Sequence, residues 1–166
     1  CSMQRRHQKV VEEAPCVLMS ESLRKKLHKA AVKLVASLNY SNVGTVEFLF
    51  DVERDEFYFI EVNTRIQVEH PVTEQVTGYD LVQMQFRLAA GEANALPSQK
   101  AIGISRHAIE CRLNAEDAYN NFAPSPGRIK EWSPAQGAGI RVDSHCYSDY
   151  LVLPFYDSMM GKIVVT

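Results

Sequence analysis

The sequence predicts an α+β fold in which helices accompany an antiparallel sheet up to about residue 105 and a mostly β portion follows. Three observations predict it. One segment repeats apolar residues at spacings of three and four, the period of a helix. Two consecutive segments rich in β-branched and aromatic residues flank a polar turn. Beyond residue 106, short apolar runs alternate with turns that contain proline and glycine.

The first helix is expected over Glu21–Leu38 with Ser20 as its N-cap, because a hydroxyl there can accept one of the unsatisfied first-turn amides. Leu23, Leu27, Ala30, Leu34 and Leu38 form one stripe, while Arg24, Lys25, Lys29 and Lys33 lie off it. This describes a core-facing scaffold helix with a solvated basic face. Strands are expected at Val43–Phe50 and Glu56–Asn63, with Asp51 to Asp55 as the turn of a hairpin. A second helix is expected over about Tyr79–Ala90, carrying Leu81, Val82, Phe86, Leu88 and Ala89 and ended by Gly91. Asn94–Ser105, with Pro97 and several small residues, reads as a connection. His107–Leu113 and Gly139–Val142 read as short strands, with turns at Pro124, Pro126-Gly127 and Pro134. Lys162–Thr166 reads as a strand with no turn or partner after it, and no initiating methionine precedes Cys1. Both features suggest a segment of a longer protein.

Composition bounds the function. The chain has 166 residues, 46% hydrophobic and 23% charged, the balance of a soluble globular protein of one domain or a domain plus part of another. A net charge of −2 argues against a surface that coats nucleic acid, while leaving room for a local anion pocket. No apolar run approaches the ~20 residues that cross a bilayer, and no signal-peptide pattern opens the chain. The four cysteines, Cys1, Cys16, Cys111 and Cys146, show no Cys-x-x-Cys spacing and read as reduced thiols, in the cytoplasm or an organelle matrix. The five histidines are dispersed and give a zinc site little support.

The hairpin carries the first chemical signal. Strand alternation puts Thr45, Glu47 and Leu49 on one face, and Phe57, Phe59, Glu61 and Asn63 on one face of the partner strand. Pairing centred on Arg54 sets Glu47 opposite Glu61, Leu49 opposite Phe59 and Thr45 opposite Asn63. Opposed side chains lie ~5 Å apart at Cβ, where like charges destabilise. Two such carboxylates repel or share a proton unless a cation joins them, and Mg²⁺ or Mn²⁺ suits oxygen ligands of this kind. Spacing alone leaves two readings open, a divalent-ion site and a pair of ordinary solvent-facing acids.

Longer motifs narrow the choice. Phe59-Ile-Glu-Val-Asn-Thr-Arg-Ile-Gln-Val-Glu-His-Pro-Val-Thr-Glu74 closely resembles the signature of biotin-dependent carboxylases. So do Met3 to Lys9, His107 to Asp117, Phe122 to Gly127 and Tyr156 to Lys162, in the expected order along essentially the whole chain. The resemblance is to the biotin carboxylase component of these enzymes. It implies the ATP-grasp fold, with residues 1–105 a later ATP-grasp subdomain lacking its lid and residues 106–166 the start of the family's C-terminal domain. The activity it implies is carboxylation of biotin with bicarbonate, driven by ATP through carboxyphosphate.

The resemblance also assigns residues. Glu47 and Glu61 would hold metal, with Asn63 completing the set for two Mg²⁺ or Mn²⁺ ions that carry the ATP phosphates. His7 would contact the nucleotide, with Gln4 beside it. Arg65, Gln67, Val68 and Lys9 would form the bicarbonate pocket, and Glu69 would be the general base. Without the resemblance, Arg65 and Glu69 at i and i+4 suggest a helical ion pair. Arg141 would stabilise the ureido oxygen of biotin as charge develops on it and would lie at the bicarbonate site, whereas Arg128 reads as structural.

The implied partners are ATP, bicarbonate, a biotin carrier protein and a carboxyltransferase component, in a parent able to form a homodimer. Acetyl-CoA, propionyl-CoA and pyruvate systems share this component. The rival expectations are another bicarbonate-activating ATP-grasp ligase resembling carbamoyl-phosphate synthetase, and a catalytically silent folding or interaction module.

Overall fold

The computed structural model describes residues 1–92 and 94–166. They fall into two units, one formed by Cys1–Ala14 with Arg106–Thr166 and the other by Pro15–Ser105. In chain order, the strands and helices up to residue 105 are β1 (Ser2–Arg5), β2 (Gln8–Ala14), α1 (Glu21–Ser37), β3 (Thr45–Asp51), β4 (Glu56–Asn63), α2 (His70–Thr77) and α3 (Leu81–Ala89). Then come β5 (Ala108–Asn114), β6 (Glu116–Asp117), β7 (Ala123–Pro124), β8 (Gly127–Arg128), β9 (Ile140–Ser144), β10 (Leu151–Val152) and β11 (Met159–Val165). The class is α+β, as the sequence predicts. No helix among the described residues is long and apolar enough to cross a membrane.

In the continuous unit, α1 begins where expected: the Ser20 hydroxyl accepts the Leu23 amide at 3.2 Å. The stripe is buried at Leu23 and fades by Leu38, which is 65% exposed and caps the helix rather than packing. Helix α3 covers the expected second helix, and Gly91 follows it at φ 74°. The sequence reading missed α2. Pro71 occupies the first turn of that helix, where its missing N–H costs nothing, and Gly78 ends it at φ 78°.

The β3–β4 hairpin keeps Thr45↔Asn63, Val46↔Val62 and Glu47↔Glu61 in the expected register. Beyond Glu47 the register shifts, so Phe48 pairs with Phe59 and Leu49 with Tyr58. Leu49 therefore does not face Phe59. Ile60 is the extra residue of a β-bulge, which reverses the alternation. The Phe48 ring meets Phe57 and Phe59 edge-on, at centroid distances of 5.3 and 6.2 Å. Phe57 and Phe59 thus share the Phe48 face, whereas Glu47 and Glu61 occupy the other.

The second unit is built on a five-stranded sheet of order β1-β2-β5-β11-β9, whose strand pairs are all antiparallel. The expected terminal strand is β11, and it has partners on both sides, β5 and β9. Val164, its next-to-last residue, is 1% exposed. Gly161 in the same strand has no room for a side chain: a Cβ there would lie 2.9 Å from both the Asp143 carbonyl oxygen and the Ser144 Cβ. All four cysteines are free thiols.

Candidate metal and anion site

The register of β3 and β4 brings the two acids together. Glu47 is half-buried and Glu61 exposed, directly opposite each other. Asn63, two residues along β4 from Glu61, donates Nδ2 to Glu47 Oε1 at 3.0 Å and to Glu61 Oε1 at 2.9 Å. A carboxylate only accepts, so the amide nitrogen must face the acids, and it spans both.

After Asn63 the chain leaves the sheet and runs without regular structure to α2. Residues 65 to 69 are therefore not one helical face, and the i, i+4 reading of Arg65 and Glu69 does not apply. Arg65 is exposed, and its Nη1 donates to the carbonyl of Ile66 at 3.3 Å. Gln67 is only 9% exposed and donates Nε2 to Glu47 Oε1 at 2.7 Å. The segment is closed by His70, whose amide and Nδ1 both meet the Gln67 carbonyl, at 3.2 and 2.8 Å. Glu69 stands at the N-cap position of α2 without a capping side-chain bond. One unit thus brings together Glu47, Glu61, Asn63, Arg65, Gln67, Val68 and Glu69.

Gln4, His7, Lys9 and Arg141 belong to the other unit. Gln4 pairs with Lys9 across β1 and β2, and His7 lies in the turn between these strands. Arg141 Nε and Nη2 donate to Asp143 Oδ1 and Oδ2, each at 2.8 Å, so Asp143 grips it as a fork. Lys162 Nζ is 3.8 Å from the same carboxylate. Arg128 donates to the Asp149 carbonyl at 2.8 Å, tying a loop as its structural reading expects.

Sequence reasoning missed the bond from Gln67 to Glu47 and the grip of Asp143 on Arg141. The second had a signal, since Arg141 and Asp143 are alternate residues of one strand and share a face. It also missed Glu74, which is 8% exposed and whose Oε1 accepts the Leu81 amide at the start of α3, at 2.8 Å.

The donor set suits a hard divalent cation. The two carboxylates supply oxygen ligands, the Asn63 amide would offer its oxygen after a flip of the side chain, and Mg²⁺ commonly takes few protein ligands and completes its shell with water and phosphate. Among the described residues there is no cluster of three or more His, Cys, Asp or Glu, so a thiolate- or imidazole-rich centre has no counterpart there.

Comparison with known proteins agrees with this chemistry. Residues 1–96 match the family described as the carbamoyl-phosphate synthase L chain, ATP binding domain. Residues 110–166 match the biotin carboxylase C-terminal domain. The biotin carboxylase of Nostoc sp. is 53% identical over 99% of the chain and 36% of its own length. Among solved structures, a biotin carboxylase–β,γ-ATP complex from Campylobacter jejuni superposes with a TM-score of 0.93 at 50% identity, over 99% of this chain and 36% of that one. The biotin carboxylase domain dimer of Hydrogenobacter thermophilus 2-oxoglutarate carboxylase, in complex with MgADP, ADP and bicarbonate, gives 0.94 at 47% identity, with 99% and 36% covered. The chain thus spans about a third of the length of these relatives. With both matches in order along one chain and half of its residues shared with these relatives, the chain belongs to the biotin carboxylase family of ATP-grasp proteins.

Proposed function

We propose that this chain supplies the metal- and anion-binding part of an enzyme that carboxylates biotin with bicarbonate at the expense of ATP. The observation that carries the reading is the opposed pair Glu47 and Glu61, bridged by the Asn63 amide. Residues 1–105 are the ATP-grasp portion and residues 106–166 the start of the C-terminal domain, although Cys1–Ala14 folds with the latter.

Glu47, Glu61 and Asn63 would hold two Mg²⁺ or Mn²⁺ ions, which neutralise phosphate charge when bound. His7 and Gln4 would bind ATP, and Lys9, Arg65, Gln67 and the Val68 amide would hold bicarbonate. A guanidinium fork matches two oxygens of a planar oxyanion and stays charged at any working pH. Glu69 would take the proton of bicarbonate as its oxygen attacks the γ-phosphoryl group, so that carboxyphosphate forms and ADP leaves. Carboxyphosphate then yields CO₂ and phosphate, and the phosphate takes the proton of the biotin ureido nitrogen as that nitrogen attacks the CO₂. Arg141 would face the ureido oxygen, its guanidinium held in orientation by Asp143. A biotin carrier protein would deliver the biotin and a carboxyltransferase would receive the product.

The test is phosphate release from ATP by the complete enzyme that carries this sequence. Release that depends on both bicarbonate and biotin is expected. Release that needs bicarbonate and ammonia, indifferent to biotin, would replace this reading with a carbamoyl-phosphate-type activity.

A further inference from the structure

The turn that carries His7 is strained, and the surrounding side chains explain why it persists. Arg5 pairs with Gln8, so Arg6 and His7 alone connect β1 to β2, at φ 51° and 64°. Positive φ at both central positions is the pattern of a type I′ turn, which favours Asn-Gly because Cβ crowds this region. Here an arginine and a histidine occupy it. Such a conformation survives only where its neighbours over-determine it, and such sites cluster where geometry matters for function.

Both residues that flank the turn are tied to the same neighbouring segment. Arg5 Nη2 donates to Glu116 Oε2. Glu116 Oε1 accepts from Asn114 Nδ2 and from Ser158 Oγ, each at 3.3 Å. Asn114 Nδ2 also reaches Gln8 Oε1 at 3.4 Å. Arg5, Glu116, Asn114 and Gln8 therefore close a ring around the base of the hairpin. On the other side, the Arg5 guanidinium lies 3.7 Å from the centroid of the Phe122 ring. Phe122 is itself left-handed at φ 57°, next to Asn121 at φ 53°, with its amide bonded to the Asp117 carbonyl at 2.8 Å. Two strained turns thus brace each other through one guanidinium.

We propose that Arg5 is a positioning residue for nucleotide recognition. Clamped between Glu116 and Phe122, it holds the left-handed Arg6-His7 turn in the one geometry that presents the His7 imidazole. With Nη2 on Glu116 and its face on Phe122, the Arg5 guanidinium is committed to holding the turn rather than to binding phosphate. This inference rests on the reading of His7 as a nucleotide contact.

A double-mutant cycle on the complete enzyme that carries this sequence tests it. If release of the clamp leaves the competent turn populated at roughly a tenth, Arg5→Met raises KM for ATP about tenfold. With the reacting groups untouched, kcat should stay within about twofold. Arg5→Lys, which keeps a cation between Glu116 and Phe122, should recover most of the affinity. On a His7→Ala background the effect of Arg5→Met should vanish, since no imidazole remains to be placed. Additive effects, or an unchanged KM in Arg5→Met, would overturn the proposal while leaving the nucleotide role of His7 standing. An unchanged KM in His7→Ala alone would overturn that role, and the proposal with it. Should Arg5→Met fail to fold, Phe122→Leu removes only the stacking partner and is judged by the same cycle.

Discussion

Gln67 donates its side-chain amide to Glu47 Oε1 at 2.7 Å, joining two residues twenty positions apart. One belongs to the candidate anion loop and the other to the candidate metal pair. Outer-shell bonds of this kind fix the orientation of a ligating carboxylate, and their loss commonly costs roughly 10- to 100-fold in metal affinity. Gln67→Leu should therefore weaken Mn²⁺ binding about tenfold, measured by titration with detection of free Mn²⁺. Glu47→Gln should weaken it further. Equal affinity in Gln67→Leu and the unsubstituted chain would show that the bond has no part in the metal site.

Arg65→Ala should abolish carboxylation by the complete enzyme with little effect on folding. The side chain is exposed and its one described bond goes to a neighbouring carbonyl, so stability should fall by at most ~1 kcal/mol. Turnover at varied bicarbonate and a thermal melt separate the two effects. Near-normal turnover would return Arg65 to an ordinary surface residue.

Assayed alone with ATP, Mg²⁺, bicarbonate and free biotin, the chain should show no carboxylation, since it spans 36% of the length of its Nostoc relative. Closure over ATP excludes water and completes a catalytic constellation, and the lid expected for this is not among the motifs the chain carries. Weak Mn²⁺ binding should survive, because Glu47, Glu61 and Asn63 lie within one unit. Turnover comparable to that of a complete enzyme would refute this division of labour.

Glu74→Ala should destabilise the continuous unit by about 1–3 kcal/mol, since the Leu81 amide then loses its buried acceptor at the start of α3. Glu74→Gln retains an acceptor oxygen and should recover most of the loss. Chemical denaturation of the three proteins measures it, and equal midpoints would contradict the capping role.

What could be read from the sequence was local. Ser20, the apolar spacing from Leu23 and the Asp51–Asp55 turn each act within a few residues, and each appears where expected. The Glu47–Glu61 pairing is expected from a turn centred on Arg54, whereas the turn is centred between Glu53 and Arg54 and would by itself set Glu47 opposite Ile60; the bulge restores the pairing. The bulge at Ile60 was not legible, because neither strand carries a glycine that would mark one. Helix α2 was hidden because it is only eight residues long and has a proline in its first turn. The joining of Cys1–Ala14 to the second half was equally hidden, since nothing local in β2 names β5 as its neighbour.

That last arrangement bears on the order in which the chain acquires structure during synthesis. Pro15–Ser105 is continuous and can consolidate as soon as it leaves the ribosome. The five-stranded sheet cannot, because β2 waits for β5, and β5 and β9 have no direct neighbour in common until β11 is made between them. Residues 1–14, with His7 among them, are thus made before the continuous unit and secured after it. A nascent chain arrested before Met159 should resist protease across 15–105 while remaining open to cleavage within residues 1–14.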